Sequence, residues 1–334
     1  MQSILVTGGA GFIGSNFVRY ILNKYAGYKI INLDKLTYAG NRNNLADVMD
    51  NPNHEFVKGD ICNAALVTQL AERVDAIINF AAETHVDRAI MSPGVFIKTD
   101  MAGTHTLLQA SRKFKHKKFV QISTDEVYGS TAQGKFTEES KVAPSNPYSA
   151  SKAAGDLLVL SYFKTYGMPV CVTRSSNNFG PYQHPEKFVP LFITNALQDK
   201  ELPLYGDGKN VRDWLYVEDN CAAIDAVFHS GINGEIYNIA GGNEVSNKEL
   251  AGKIVSTLGK PMKLIRYVKD RPGHDKRYAV ETKKITEQLG WRPEHTFLSA
   301  LIYTIKWYQE NSVWWEKKRN RNFLEFYSKQ YGDK

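Results

Sequence analysis

Short apolar runs recur through the first half of the chain, each followed by a stretch with apolar residues at helical spacing. The stretch "SILVT", with Ile4 to Val6 apolar, passes through "GGAG" into Phe12, Ile13, Phe17, Tyr20 and Ile21, which reads as strand, loop and helix. Further runs are "KIINLD" at 29–34, "EFVKGDI" at 55–61, "AIINFAA" at 76–82, "KFVQIS" at 118–123 and "PVCVTR" at 169–174. They lack the apolar/polar alternation of a half-exposed strand, as expected for strands covered on both faces. Their alternation with helical stretches predicts an α/β protein built on a doubly wound parallel sheet.

After about residue 176 the pattern loosens into proline- and glycine-bearing loops, "NNFGPYQHPEKFVP", "GDGKNVRDW" and "KDRPGHDKR". Polar loops hung on a rigid sheet are where binding sites concentrate. The expected division is a nucleotide-binding domain carrying the catalytic residues over 1–176 and mainly a smaller, interleaved substrate lobe over 177–334. Core-like periodicity in "DWLYVEDNCAAIDAVFHS" predicts that part of the second lobe returns to the first.

Composition narrows the class. With 43% apolar and 23% charged residues in 334, the chain is expected to be an ordinary soluble globular protein. The run Val74 to Ala82 is too short for a membrane span and is broken by Asp75 and Asn79. The start "MQSILVTGG" lacks a basic segment followed by an apolar one, so a cytoplasmic protein is expected. Cys62, Cys171 and Cys221 are isolated, which argues against a disulfide framework. Much of the net charge of +7 comes from "RKFKHKK" at 112–118 and "KKRNR" at 317–321, read as solvated helix ends. No basic motif points to nucleic acid, and no HExxH or paired Cys/His spacing points to a metal.

The chemistry begins at Gly8, Gly11 and Gly14, which give G-x-x-G-x-x-G between a strand and a helix. Glycine permits the tight turn and close approach of backbone to a pyrophosphate, and the helix N-terminus offers N–H groups to the anion. Asp34 ends the second strand, where a carboxylate can accept from both ribose hydroxyls of an adenosine. Its charge would repel a 2′-phosphate and so favours NAD over NADP, with Lys35 tempering the preference. Asp60 in "KGDI" is placed to receive an adenine amino group. The expected sheet is therefore Rossmann-type.

In "NPYSASKAAGDLLV", Tyr148 and Lys152 stand four apart at the start of a helix that Pro147 opens. A phenol titrates near about 10, so a nearby ammonium is needed to favour phenolate. Lys152 can supply it and also hold the nicotinamide ribose. Between the glycine loop and this pair lies "QISTDEVYG" at 121–129, with two adjacent acids, Asp125 and Glu126. Side chains adjacent on a strand point to opposite faces, so the strand is expected to end by Thr124, with the following turn aiming both acids at one substrate.

The order "TGGAGFIG", "STDEVYG", "YSASK" resembles the extended short-chain dehydrogenase/reductase superfamily. Further blocks make the chain similar, within it, to the dTDP-glucose 4,6-dehydratases: "LDKLTYAGN" at 33–41, "AAETHVDR" at 81–88, "SSNNFGPYQHPEKFVPL" at 175–191, "YGDGKNVRDWLYVED" at 205–219 and "DRPGHDKRYAV" at 270–280. The resemblance covers essentially the whole chain. It implies a tightly bound NAD, regenerated each cycle, with further contacts from Phe12, Ile13, Thr37, Ile61, Ala81, Ala82, Thr99 and Asn178. It implies dTDP-glucose as substrate, held by Thr84, Thr124, Asn177, Lys187, Phe188, Pro203, Tyr205, Arg212, Asn247, Asp270, Arg271 and His274. It implies that Tyr148 takes the proton of the sugar 4-hydroxyl, that Thr124 bonds the 4-oxygen, that Glu126 takes the C5 proton and that Asp125 protonates the departing 6-hydroxyl. A homodimer is implied by analogy, as is service to a deoxysugar pathway, of which rhamnose for surface polysaccharide is the commonest outlet. The chain departs from the family at Asp100 in "KTDMAGT", where asparagine is common, and at Ala89, where serine is common.

A nucleotide-sugar 4-epimerase shares the fold, NAD and the Tyr/Lys pair, but needs no acid/base pair for elimination and leaves "DE" unexplained. A redox-sensing binding protein without catalysis would be expected to have lost Tyr148, Lys152 or the acids.

Overall fold

A computed structural model describes residues 3–270 and 274–331. Its strands, in chain order, are β1 (Ser3–Thr7), β2 (Lys29–Asp34), β3 (His54–Lys58), β4 (Ala76–Asn79), β5 (Lys118–Thr124), β6 (Val170–Ser175), β7 (Asn177–Phe179), β8 (Leu202–Tyr205), β9 (Val211–Tyr216), β10 (Ile236–Ile239), β11 (Glu244–Ser246) and β12 (Ile265–Val268). Seven of them form one sheet in the order β10-β6-β5-β4-β1-β2-β3, with every neighbouring pair parallel. The six apolar runs of the first half are its strands β1 to β6. The "GDI" of the third run falls outside β3, because the chain turns at Gly59 to deliver Asp60 beyond the strand end.

Alternate residues of each strand feed two separate cores. Ile4, Val6, Ile30, Ile78 and Val120 pack with Phe17 and Ile21 of helix Phe12–Lys24 and with Val217 to Phe228 of helix Val217–Ser230. Leu5, Ile31, Leu33, Ile77 and Phe119 pack on the opposite face, against helices Ala64–Ala71, Thr104–Phe114 and Pro147–Tyr166. Burial on both faces is why the strands read as continuous apolar runs.

The second half of the chain is interleaved with this sheet. Helix Val217–Ser230 lies against the first helix, with Asp225 Oδ2 accepting from Lys24 Nζ at 2.8 Å and from the Tyr25 hydroxyl at 2.9 Å, and β10 completes the sheet beside β6. The smaller sheets β11-β9-β7 and β12-β8 hold the remaining strands. Near the C-terminus, Trp315 is buried, Trp307 packs on Tyr182, and Trp314 Nε1 donates to Asn44 Oδ1 at 3.1 Å. No helix of the described residues is long and apolar enough to cross a membrane.

The order of the large sheet reverses between β1 and β4. In such a sheet the crevice outside the carboxyl ends of the strands, at the reversal, is where ligands bind.

Candidate active site

One cleft opens at that reversal, lined by the residues that follow β1, β2, β3, β4, β5 and β6. It gathers the expected cofactor residues from Gly8 and Gly14 through Asp34, Asp60, Ala82 and Thr99 to Asn178, together with Thr124, Asp125, Glu126, Tyr148 and Lys152.

The glycine loop is as tight as its sequence requires. Gly8 has φ +71°, and a Cβ there would lie 2.6 Å from the Ala81 amide nitrogen. A Cβ on Gly14 would lie 2.4 Å from the Gly8 carbonyl oxygen. The helix it opens has Gly11 at its N-cap, no side-chain cap and no acid in its first turn, so its leading N–H groups face the cleft uncapped and fit a pyrophosphate. Asp34 is buried; its Oδ2 accepts from the Ala10 amide at 2.9 Å and its Oδ1 from the Leu36 amide at 2.7 Å. Each oxygen retains a lone pair for a ribose hydroxyl. Burial pushes its pKa up against those two bonds. The Lys35 ammonium sits 2.8 Å from Asp60 Oδ2, so the cation tempering Asp34 is held by the acid expected to meet adenine. These donors and acceptors fit an adenosine diphosphate moiety, with Asp34 at its ribose.

β5 ends at Thr124, and Asp125–Tyr128 form one 3-10 turn. Thr124 caps it, its Oγ1 accepting from the Glu126 amide at 3.2 Å. That turn is what lets neighbouring acids both face the cleft. Their surroundings differ. Asp125 is 2% exposed, and its Oδ2 is buried with no hydrogen-bond partner, while Glu126 is half-buried. Burial, then the charge of Glu126, then that of Asp213, hold Asp125 well above the usual carboxylate range, with Arg212 and the Thr124 hydroxyl opposing. Asp213 is itself pushed up to about 6 by burial, against the amides of Asn243 and Gly242.

A carboxyl raised by folding contributes stability below its ordinary value of 3.8 and loses it as pH rises through the folded value. Asp125→Asn is therefore expected to melt a few degrees higher than the parent at neutral pH, with the difference vanishing in acid. Thermal melts across pH check this, and an equal or lower melting temperature at neutral pH would show that the buried charge carries no penalty.

Helix Pro147–Tyr166 presents Tyr148 and Lys152. Asn146 caps it through a reciprocal pair: Asn146 Oδ1 accepts from the Ser149 amide and the Asn146 amide donates to Ser149 Oγ, which supports Pro147 as a start signal. Lys152 is 5% exposed and donates to the Ile122 carbonyl at 2.7 Å. In the protein alone Tyr148 stands well above its ordinary pKa, through burial first and then the charges of Glu126, Asp100 and Asp125.

Two residues behind the site carry no signal in the motifs. Arg174 Nε donates to Asp156 Oδ2 at 2.9 Å, both side chains fully buried, and Ser123 Oγ donates to the same oxygen at 3.0 Å. This clamp fixes helix Pro147–Tyr166 to β5 and β6. An arginine ending an apolar strand, and an acid four residues beyond Lys152, were the available clues. Glu83, Gln183, His184 and Glu186 also line the cleft unforeseen. Arg88 donates to Glu186 at 3.0 Å and covers the Tyr38 ring at 3.9 Å, and Tyr38 donates to the Thr84 carbonyl. Burial lowers His184 to about 3.

Of the expected substrate residues, Thr84, Thr124, Asn177 and Lys187 line this cleft. Phe188 stacks on Phe192 with ring centroids 4.1 Å apart, a packing position. Arg212 donates to the Val211 carbonyl at 2.7 Å and the Asp275 carbonyl at 2.9 Å, and Asn247 is buried with its amide on the Asn210 carbonyl. Pro203 and Tyr205 lie on β8; the Tyr205 ring is 5.9 Å from that of His274, whose Nδ1 is 2.6 Å from Asp270 Oδ1. Arg271 lies outside the described residues.

Comparison with known proteins bears on this geometry. The GDP-mannose 4,6 dehydratase family model matches residues 5–302. The dTDP-glucose 4,6-dehydratase of Streptomyces niveus is 51% identical over 317 residues, 94% of each chain. The crystal structure of DesIV, a dTDP-glucose 4,6-dehydratase of Streptomyces venezuelae with NAD bound, superposes with a TM-score of 0.93 at 50% identity, over 95% of this chain and 99% of that one. The chain belongs to the dTDP-glucose 4,6-dehydratase family. A UDP-glucose 4-epimerase of Thermotoga maritima shares the fold, with a TM-score of 0.87 over 93% of this chain and 99% of that one, but only 29% of the sequence.

Proposed function

We propose that this chain converts dTDP-glucose to dTDP-4-keto-6-deoxyglucose with NAD as its resident cofactor. The carrying observation is the pair of adjacent carboxyl groups in unlike surroundings, one buried and raised, one open to the cleft. NAD, when bound, would supply the hydride acceptor at C4 and the hydride donor at C6, and so be regenerated within each cycle. The glycine loop and Asp34 would hold its adenosine diphosphate end, and Tyr148 and Lys152 would serve its reactive end.

The chain's own residues move the protons. Tyr148 takes the proton of the 4-hydroxyl as the C4 hydride departs, and Thr124 steadies the 4-oxygen. The resulting ketone acidifies C5–H. Glu126 takes that proton while Asp125, protonated by virtue of its burial, gives its own to the 6-hydroxyl, which leaves as water. An acid and a base side by side at neutral pH require environments that separate their pKa values. Arg212, beside Asp125, is suited to the diphosphate, and Asn177 and Lys187 extend the cleft toward the nucleotide. A 4-epimerase would leave the buried acid without a task.

The test is mass spectrometry of dTDP-glucose after incubation with the purified protein, with UDP-glucose in parallel. Loss of one water with dTDP-glucose preferred is the expected result. Appearance of the galactose isomer with no loss of water would replace this reading by epimerisation.

A homodimer is part of the proposal. Met91, Val95, Ile97, Met101 and Leu157 expose apolar side chains on the neighbouring helical segments Val86–Phe114 and Pro147–Tyr166, and a patch of this kind is suited to a second copy. A sedimentation mass of one chain would exclude it.

A further inference from the structure

The departure at Asp100 lies at a structurally unusual place. Residues Ile97–Gly103 form a π-helical segment between Phe96 and Thr104, the kind of wide turn that recurs at functional sites. It packs tightly on the catalytic helix: a Cβ on Gly155 would lie 3.0 Å from the Asp100 carbonyl oxygen. The Asp100 side chain is 2% exposed. Its Oδ2 is 2.6 Å from Ser151 Oγ, which is also 2.8 Å from the Tyr148 carbonyl. Its Oδ1 is buried with no well-formed hydrogen bond.

A buried ammonium needs a counter-charge. Lys152 makes no direct ion pair among the described residues, and its one hydrogen bond is to the Ile122 carbonyl. Two buried carboxylates act on it through space, Asp100 and Asp156. Asp156 is already committed to Arg174 at 2.9 Å, which leaves Asp100. We propose that Asp100 is the positioning residue that supplies the counter-charge of Lys152 and thereby sets the pH at which Tyr148 accepts the sugar's proton. This rests on the assignment of Tyr148 as the base at the 4-hydroxyl.

The sign follows from the charge at Asp100. Burial raises its carboxyl against Lys152 and the Ser151 hydroxyl, and when ionised it faces Tyr148 and disfavours phenolate there. The other groups facing Tyr148 are Glu126 and Asp125 of the acid turn and Tyr38 of the loop after β2. Asp100 is faced by Lys152 and Ser151 of the catalytic helix and by the Glu83 segment after β4, and Glu83 in turn by Lys35, Arg88 and Asp60. Removing the one charge at Asp100 leaves the remainder in place. The acid limb of the pH profile then moves down, because phenolate at Tyr148 is opposed less.

The experiment is the pH profile of single-turnover C4 oxidation, read by reduced-nicotinamide absorbance, in the holoenzyme of Asp100→Asn and Ser151→Ala. Asp100→Asn is expected to shift the acid limb to lower pH. Ser151→Ala removes only the hydrogen bond that favours the charge and leaves the carboxyl in place, so its acid limb is expected to move less than that of Asp100→Asn, whatever its rate. As a readout besides activity, tyrosine labelled at ¹³Cζ, with the Tyr148 signal assigned by its loss in Tyr148→Phe, is expected to titrate at lower pH in Asp100→Asn. Should the amide fail to fold, Asp100→Ser removes the same charge in a smaller side chain. A folded charge-removing variant whose acid limb and Tyr148 signal match the parent's overturns the proposal. Undiminished C4 oxidation by Tyr148→Phe overturns instead the assignment on which it rests.

Discussion

Replacing Tyr148 with phenylalanine is expected to abolish the first hydride transfer while leaving the fold and NAD content unchanged. The phenyl ring keeps the edge-to-face contact with Phe96 and the capped first turn of the catalytic helix does not involve the phenol, so stability has little reason to fall. What would be lost is the group to which the proposal assigns the 4-hydroxyl proton as hydride leaves. General-base catalysis of this kind is worth roughly 10² to 10⁴ in rate. Rapid mixing with dTDP-glucose, followed by reduced-nicotinamide absorbance, measures it directly, and bound NADH forming at the parent rate would remove Tyr148 from the role.

Glu126→Gln separates the later step from the first. With Tyr148 intact the variant is expected to oxidise C4 and stop there, so that reduced nicotinamide builds up to a plateau while turnover falls by about 10² to 10⁴. The amide keeps the size of the side chain and the backbone bond to Thr124, so the turn itself is preserved. Exchange of the C5 hydrogen with heavy water gives an independent reading and is expected to be lost with the base. Normal turnover, or exchange at the parent rate, would assign the C5 proton to another group. The two variants together distinguish a protein that cannot begin the reaction from one that cannot finish it.

The parts of the site that are local in sequence were legible there. Gly8, Gly11 and Gly14 announce a turn that only small residues fit, and the structure places Gly8 at φ +71° with Ala81 against it. Tyr148 and Lys152 share a helical face by spacing alone. The end of β5 at Thr124 followed from the need to aim neighbouring acids at one substrate. Less was legible beyond residue 176. There Arg212, Asn247 and His274 are singled out by resemblance alone, and the structure shows Arg212 donating to backbone carbonyls, Asn247 at a buried helix start and His274 beside Asp270. Loops without a period carry no internal measure of where their side chains will lie. The expectation that Lys152 favours phenolate also needed tertiary detail, since Lys152 is directed at the Ile122 carbonyl and three carboxyl groups face the phenol.

The parallel sheet, the glycine turn, the acid at the end of β2, the Tyr/Lys pair and the adjacency of two acids could all be read from the sequence, because each rests on a repeat or spacing that neighbouring residues impose on the backbone. Which acid is buried and which stays open, the match of Arg174 to Asp156, and the meeting of Asp100 with Ser151 from 51 positions away came only with the folded chain. Desolvation and the field at a carboxyl depend on atoms brought close from distant parts of the chain, and only folding fixes those distances.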